Sequence, residues 1–418
     1  MNLAMQRWID RWVGIPLCAA VSAADAVISR FKTKTATQAD LAPRAIVIIL
    51  LSEMGSLVLA HDMFTRLKTR YPDAELHALL FRKNREILDL MRVIDPAHVH
   101  TVDDQSLPSL LASLWRAIVD LRRARVDVAI DCELFSRVSS LLSYASGAAI
   151  RVGFHRHTQE GLYRGSHINR PVPYNPYHHI SAQFLTLARA IDSTSVPKSK
   201  LPLMAAITRS GQPPPFVQLD PLLTAGIAAR LARDFPDTSS RPLVLVYPGG
   251  GILPIRAWPL ASYATLCEGL VADGYAVAVI GLKDDRALAQ ELVASVRRAD
   301  AHVPVIDLTG YTRSIAELLA LFHVARLLVT NDGGPGQFAA LTPIWTVMLF
   351  GPETPSLYAP LTPRCYAFYS QWPCSPCLSA YNHRASFCDG DNQCLKVIAP
   401  DAVLAKAREF LASSGAAA

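Results

Sequence analysis

Leu327-Leu328-Val329-Thr330-Asn331-Asp332-Gly333-Gly334-Pro335-Gly336-Gln337 reads as a strand that runs through a glycine turn directly into a helix. The strand portion lacks polar alternation, so both of its faces are covered, as in a parallel sheet packed between helices. Two glycines let the backbone turn tightly, and Pro335 suits the first helical position, where its missing N–H is not needed. Unpaired amides at such a turn, with the positive end of a helix dipole behind them, form an anion site suited to a diphosphate. The plainer reading is a simple turn in which Asp332 caps the helix.

Working outward, the second half repeats this unit. Leu243 to Tyr247 is a strand ending in Pro248-Gly249-Gly250-Gly251, and Leu260 to Asp273 is a helix. Ala276 to Ile280 is a strand leading to Asp284 and Asp285, followed by a helix to about Arg298 and a strand from Val303 to Asp307. A helix from Ser314 to Val324 precedes the quoted stretch, and a strand from Ile344 to Phe350 follows it. The first half has the same rhythm: strands at Ala45 to Leu51, Glu75 to Leu80 and Val126 to Asp131, with helices through Arg70, over Leu107 to Arg125 and over Phe135 to Gly147. Such alternation predicts an α/β protein of two Rossmann-like, doubly wound parallel-sheet domains, with ligands in a central cleft beyond the carboxyl ends of the strands. Arg256, just past the Gly249-Gly250 turn, offers a permanently charged fork to a phosphate, while Trp258 reads as a packing anchor. Asp284 stands where an acidic residue binds ribose hydroxyls, although one of the Asp284–Asp285 pair can instead close the helix start.

The chain has 418 residues, enough for two or three domains at about 150 residues each. Its 51% apolar content builds full cores and excludes a disordered tail or a coiled coil. The divisions expected are an N-terminal amphipathic helical segment 1–40, a first Rossmann-like domain 41–205, a linker and connecting helix 206–238, a second Rossmann-like domain 239–400 and a C-terminal helix and tail 401–418, with the last helix crossing back onto the first domain. Residues 151–175 read as a long functional loop. The net charge of +6 favours acidic partners, such as phosphorylated substrates or an anionic membrane surface. The basic residues are not interleaved with stacking aromatics, so nucleic acid is not expected. At the N-terminus, Asp25 interrupts the apolar run from Val13 to Ile28, which argues against a spanning helix. Trp8, Trp12 and Ile15 at helical spacing beside Arg7 and Arg11 suit a helix lying on lipid headgroups. A helix packed on its own domain and a cleaved leader are the rival readings.

The motifs from Pro248-Gly249-Gly250-Gly251 through Arg256-Ala257-Trp258-Pro259, Leu308-Thr309-Gly310, Thr330-Asn331-Asp332-Gly333-Gly334-Pro335 and Leu349-Phe350-Gly351-Pro352-Glu353-Thr354-Pro355 resemble, in order and spacing, glycosyltransferase family 9, the lipopolysaccharide heptosyltransferase family. In the first half, the Ser52-Glu53-Met54-Gly55-Ser56 turn and Tyr71-Pro72-Asp73-Ala74-Glu75 are similar to that family's acceptor domain, so the likeness runs from Ala45 to about Leu404. The resemblance implies a GT-B fold and a metal-independent, inverting transfer of heptose from ADP-heptose to a phosphorylated glycolipid of the lipopolysaccharide core, in the cytoplasm at the inner membrane. It implies an acceptor-side domain at 41–205 and a nucleotide-sugar donor domain at 239–400, where the donor-binding residues expected are Gly249, Gly250, Arg256, Asp284, Asn331, Asp332, Gly333, Gly334 and Gln337. The chain departs from the pattern at Ser56, where the family carries its catalytic aspartate, at Arg256 in place of a lysine, and at Gln337 in place of a histidine. A serine hydroxyl is too weak a base, so Glu53, three positions earlier, is the substitute expected, with His155 or Glu160 next in line. The missing aspartate leaves two alternatives: a catalytically silent sugar-nucleotide-binding protein and a sugar-nucleotide epimerase of the same fold. Catalysis is expected to need no cofactor. Cys374, Cys377, Cys388 and Cys394 have the spacing of a structural zinc or iron site, or of a plain thiol cluster.

Overall fold

A computed structural model describes residues 3–31, 42–51, 53–134, 136–155, 163–193, 212–298, 300, 302–382, 384–386 and 388–415. The chain divides into two units, Met1–Gln212 and Pro213–Ala418.

The first unit holds one parallel six-stranded sheet of β1 (Ala45–Ile49), β2 (Glu75–Phe81), β3 (Val99–Val102), β4 (Val128–Asp131), β5 (Ile150–His155) and β6 (Arg170–Pro173) in the order β3-β2-β1-β4-β5-β6. Every residue of β1 is buried, as a central parallel strand requires. The helix Leu107–Arg123 lays Ala117 and Leu121 on one face of the sheet beside Val47, Ile49, Leu79 and Val102. The second unit repeats the plan with β7 (Leu243–Tyr247), β8 (Ala276–Gly281), β9 (Val305–Thr309), β10 (Leu327–Asn331), β11 (Trp345–Phe350) and β12 (Cys365–Tyr369), ordered β12-β11-β10-β7-β8-β9. Counted from each unit's first strand, the two orders are the same, and each reverses direction beside that first strand.

Three edge strands, β3, β6 and β12, were not expected. β6 reads Arg170-Pro171-Val172-Pro173, and prolines are tolerated in a sheet only where ladder N–H groups are not needed, as at an edge. The expected long loop therefore contains part of β5 and all of β6. Helix Pro221–Asp234, expected as a connection, packs on helix Ile315–Val324 in the second unit, with Arg230 paired to Glu317 at 2.8 Å. The last helix, Pro400–Gly415, corrects another expectation, because it packs on the second unit's own helix Leu260–Ala272. Leu404, Ala407, Phe410 and Leu411 enter that core, and Arg408 Nε donates to Asp273 at 2.7 Å.

Two helices, Leu3–Trp12 and Gly14–Phe31, precede β1. By length and composition alone the span Trp8–Ile28 is sufficient to cross a membrane, contrary to the weight placed on Asp25. Here its acidic residues dock it onto the first unit. Asp10 accepts the Arg137 and Val138 amides at 2.8 and 3.1 Å, at the start of helix Arg137–Ala145, and also pairs with the buried Arg137 guanidinium. Asp25 pairs with Arg151 at 3.1 Å, and Ser22 Oγ lies 3.3 Å from the ring of buried His167. Trp8, Trp12, Val13, Ile15, Leu17, Val27 and Ile28 are left exposed.

Candidate active site

In the second unit β10 lies between β7 and β11, so the turns that follow these three strands are neighbours. Asn331, fully buried at the end of β10, joins two of them. Its Nδ2 donates to the carbonyls of Pro248 and Gly249 at 3.0 Å each, and its Oδ1 accepts the Trp258 amide at 3.0 Å. This corrects its assignment to donor contact: the side chain is committed to the protein's own backbone, and Asn331 positions the turns. Gly250 is required for packing, since a Cβ there would lie 2.7 Å from the Leu253 carbonyl and the Pro254 Cα. Trp258 is the expected anchor, buried against Tyr263 and donating Nε1–H to the Ile398 carbonyl at 3.1 Å.

The turn after β10 is open. Gly333 has extended backbone, and nothing lies closer than 4.0 Å to where its Cβ would be. The Gly333 and Gly334 amides make no hydrogen bond to the described protein, and helix Gly334–Ala339 begins without a side-chain cap, so Asp332 is not the cap of the plainer reading. Asp332 instead lies 3.6 Å from Arg256 Nε, while Arg256 Nη2 donates to Glu353 Oε1 at 2.6 Å. Arg384 reaches the same Glu353 oxygen at 3.4 Å. The Glu353 and Asp332 carboxylates are almost wholly buried. Burial pushes the Glu353 carboxyl up to about 7 against the pull of Arg256, and it raises that of Asp332 as well. Glu353 and Arg384 were missed as site residues. Glu353 lay within a recognised motif, and nothing in sequence separation connects it to Arg256, 97 residues away.

Gln337 is a second correction. It is buried with Nε2 donating to the Tyr358 carbonyl at 2.6 Å, so it ties two short helices together instead of facing a ligand. Asp284 is exposed beyond β8, and its neighbour Asp285 closes the turn by accepting the Leu282 amide at 2.8 Å.

In the first unit the corresponding strand ends, β1 and β4, carry carboxylates. Glu53 precedes helix Met54–Leu59 and makes no capping bond to it, and its Oε2 accepts the Ser56 hydroxyl at 3.4 Å. The expected base and the serine in the family's aspartate position are therefore paired with each other. Glu133, past β4, also missed from sequence, is buried and accepts the Leu51 amide at 2.6 Å. Below it Asp131 is fully buried against Arg164 and Ser139, and burial lifts its carboxyl to about 6. Glu160 and the side chain of His155 lie outside the described residues.

The four C-terminal cysteines are free thiols of one neighbourhood. Burial, with the nearby Cys377, Cys374 and Cys388, pushes the Cys394 thiol up to about 11, and Cys377 Sγ accepts the Ser386 hydroxyl at 3.2 Å. Among the described residues they do not reach the closeness of Glu75, His77 and His98, whose donor atoms all lie within 4.8 Å of one another.

Two doubly wound parallel sheets of one topology, the second carrying an open glycine turn beside a half-buried arginine, are the two Rossmann-like domains of a GT-B architecture. The chain belongs to glycosyltransferase family 9 (heptosyltransferase), whose family model matches residues 113–386. It is 24% identical over 372 residues to lipopolysaccharide heptosyltransferase 2 of Salmonella typhimurium, covering 88% of this chain and 99% of that one. It shares its fold with the solved E. coli ADP-heptose lps heptosyltransferase II, at TM-score 0.65 and 21% identity over 89% of this chain and 99% of that one. A similar fold occurs in the iron-containing dodecameric glycosyltransferase TibC of enterotoxigenic E. coli, at TM-score 0.51 and 13% identity, covering 89% of this chain and 77% of that one.

Proposed function

We propose that this glycosyltransferase moves heptose, with inversion, from ADP-heptose to a phosphorylated glycolipid of the lipopolysaccharide core or a related envelope glycan. The observation that carries the reading is the open Gly333–Gly334 turn beside the Arg256 cluster, at the carboxyl ends of β7 and β10. Free amides and a fixed guanidinium are what a departing diphosphate needs, because they stabilise charge that develops as the glycosidic bond breaks. On the acceptor side Glu53 takes the proton of the attacking hydroxyl, and Ser56 holds its carboxylate in place. Exposed Asp284 serves the donor's ribose. The names of the relatives support heptose and ADP as donor components.

The N-terminal helices offer the membrane contact. Trp8, Trp12, Ile15 and Leu17 are exposed with Arg11 over the Trp12 ring, a composition that favours an anionic headgroup surface in the cytoplasm. The cysteines gathered around Cys394 would hold a structural zinc or iron, a reading supported by the iron of the dodecameric relative. Metal analysis of protein purified without chelators tests it, and the absence of stoichiometric metal removes it.

Incubation with ADP-heptose and other nucleotide sugars, with and without envelope lipid, tests the main reading. Lipid-dependent ADP release is expected from ADP-heptose. Binding without turnover would instead establish the silent-binder alternative, which Ser56 in the aspartate's position favours.

A further inference from the structure

We propose that Glu75, His77 and His98, supported by His100, form a binding site for a zinc-class divalent transition cation at the amino ends of β2 and β3. The arrangement follows from strand geometry. Glu75 and His77 are two residues apart on β2, so they project from the same face of the sheet. β3 pairs in parallel with β2, with Ala78 opposite Val99 and Leu79 opposite His100. The turn Pro96–His98 therefore delivers His98 beside His77, with ring centroids 4.4 Å apart.

Three observations make this more than a cluster of polar residues. The His77 ring is buried, and its Nε2 has no hydrogen-bond partner, an expensive condition for a polar atom out of water. That Nε2 lies 3.6 Å from Glu75 Oε2, too far for a hydrogen bond. Zinc bonds of about 2.1 Å at tetrahedral angles place ligand atoms about 3.4 Å apart, so this pair already stands at ligand spacing. The other ring nitrogen, His77 Nδ1, lies 3.2 Å from His100 Nε2. With Nδ1 donating, the lone pair of Nε2 points toward the site, which is how a second imidazole orients a metal-bound one. The His98 donor belongs to the same group within 4.8 Å, so a small side-chain adjustment closes the set. Imidazole and carboxylate donors suit Zn²⁺ and its transition-metal neighbours and are a poor match to the all-oxygen shells of Mg²⁺ or Ca²⁺.

Within the first unit these are the amino ends of the strands, whereas Glu53 follows the carboxyl end of β1. A cation here would not enter the reaction. It would fasten the edge strand β3, through the turn that leads into it, to β2.

The test is titration of the 418-residue protein with Zn²⁺, and with Co²⁺ as a spectroscopic probe, in a Cys374→Ser/Cys377→Ser background that removes two of the four competing thiols. Expected are one equivalent of bound cation, a four-coordinate Co²⁺ spectrum without thiolate charge-transfer bands, and a melting temperature that rises with Zn²⁺ concentration. Glu75→Gln and His98→Ala change residues that are not fully buried, so both should fold, and each should lose affinity by about tenfold or more. His100→Ala should weaken binding by about 10- to 100-fold without changing the stoichiometry. No bound cation in the background protein, or affinity unaltered in folded Glu75→Gln and His98→Ala, would leave a histidine cluster held only by hydrogen bonds and overturn the proposal.

Discussion

The two units share one strand order, yet the chemistry beyond their first and fourth strands is opposite in kind. Around the carboxyl ends of β7 and β10 gather two arginines, two buried carboxylates and a glycine turn whose amides bond to none of the described residues. Past β1 and β4 stand Glu53 with Ser56, and Glu133 with a backbone amide. A doubly wound sheet presents its strand ends as a platform, and the residues placed there decide whether it holds an anion or accepts a proton. In the second unit the arginine is held by carboxylates whose own ionisation is suppressed by burial, so its charge is fixed in direction before a ligand arrives.

The comparison breaks most visibly at Glu53. Glu53→Gln is expected to lower turnover by roughly 10²- to 10⁴-fold while leaving ADP affinity unchanged, measured by nucleotide release and by calorimetry. Unchanged turnover would move the proton acceptor elsewhere, with Glu133 the next carboxylate to test. In the second unit Arg256→Ala leaves Glu353 and Asp332 buried with less compensation. A loss of about 3–5 kcal/mol in denaturant unfolding is expected together with loss of ADP binding, and Arg256→Lys should recover part of both.

The pH dependence of the cluster sharpens the contrast further. Burial raises the Glu353 carboxyl to about 7 in the folded protein, above its value in the unfolded chain. The folded state therefore holds the proton more tightly, and the stability tied to it is complete at acid pH and lost as the pH rises through about 7. Stability curves of the native protein should fall more steeply between pH 5 and 7 than those of Glu353→Gln, by up to about 1.4 kcal/mol per pH unit. Parallel curves would mean that Arg256 keeps Glu353 ionised throughout. The smallest effect on stability is expected at Gly333, whose extended backbone any residue can adopt and whose surroundings are open. Gly333→Ala should leave stability within about 0.5 kcal/mol and weaken ADP binding about tenfold, because the methyl group occupies the space in front of the free amides.

Much of this molecule could be read from the order of its residues. Aliphatic runs announced the central strands β1, β4, β7, β10 and β11, all but β4 leading into glycine-containing turns, because a strand buried on both faces tolerates few polar residues. The turn at glycines 333 and 334 and the fixed charge of the arginine at 256 were legible for the same local reason, since turn geometry and permanent charge belong to the residue types. Tertiary structure alone decided the partners. It committed Asn331 and Gln337 to neighbouring backbone, brought Glu353 and Arg384 onto Arg256, placed Ser56 against Glu53, and gave Asp10 and Asp25 to buried arginines so that the N-terminal helices dock. Those outcomes depend on burial and on contacts between residues up to about a hundred or more positions apart, and periodicity along the chain encodes neither.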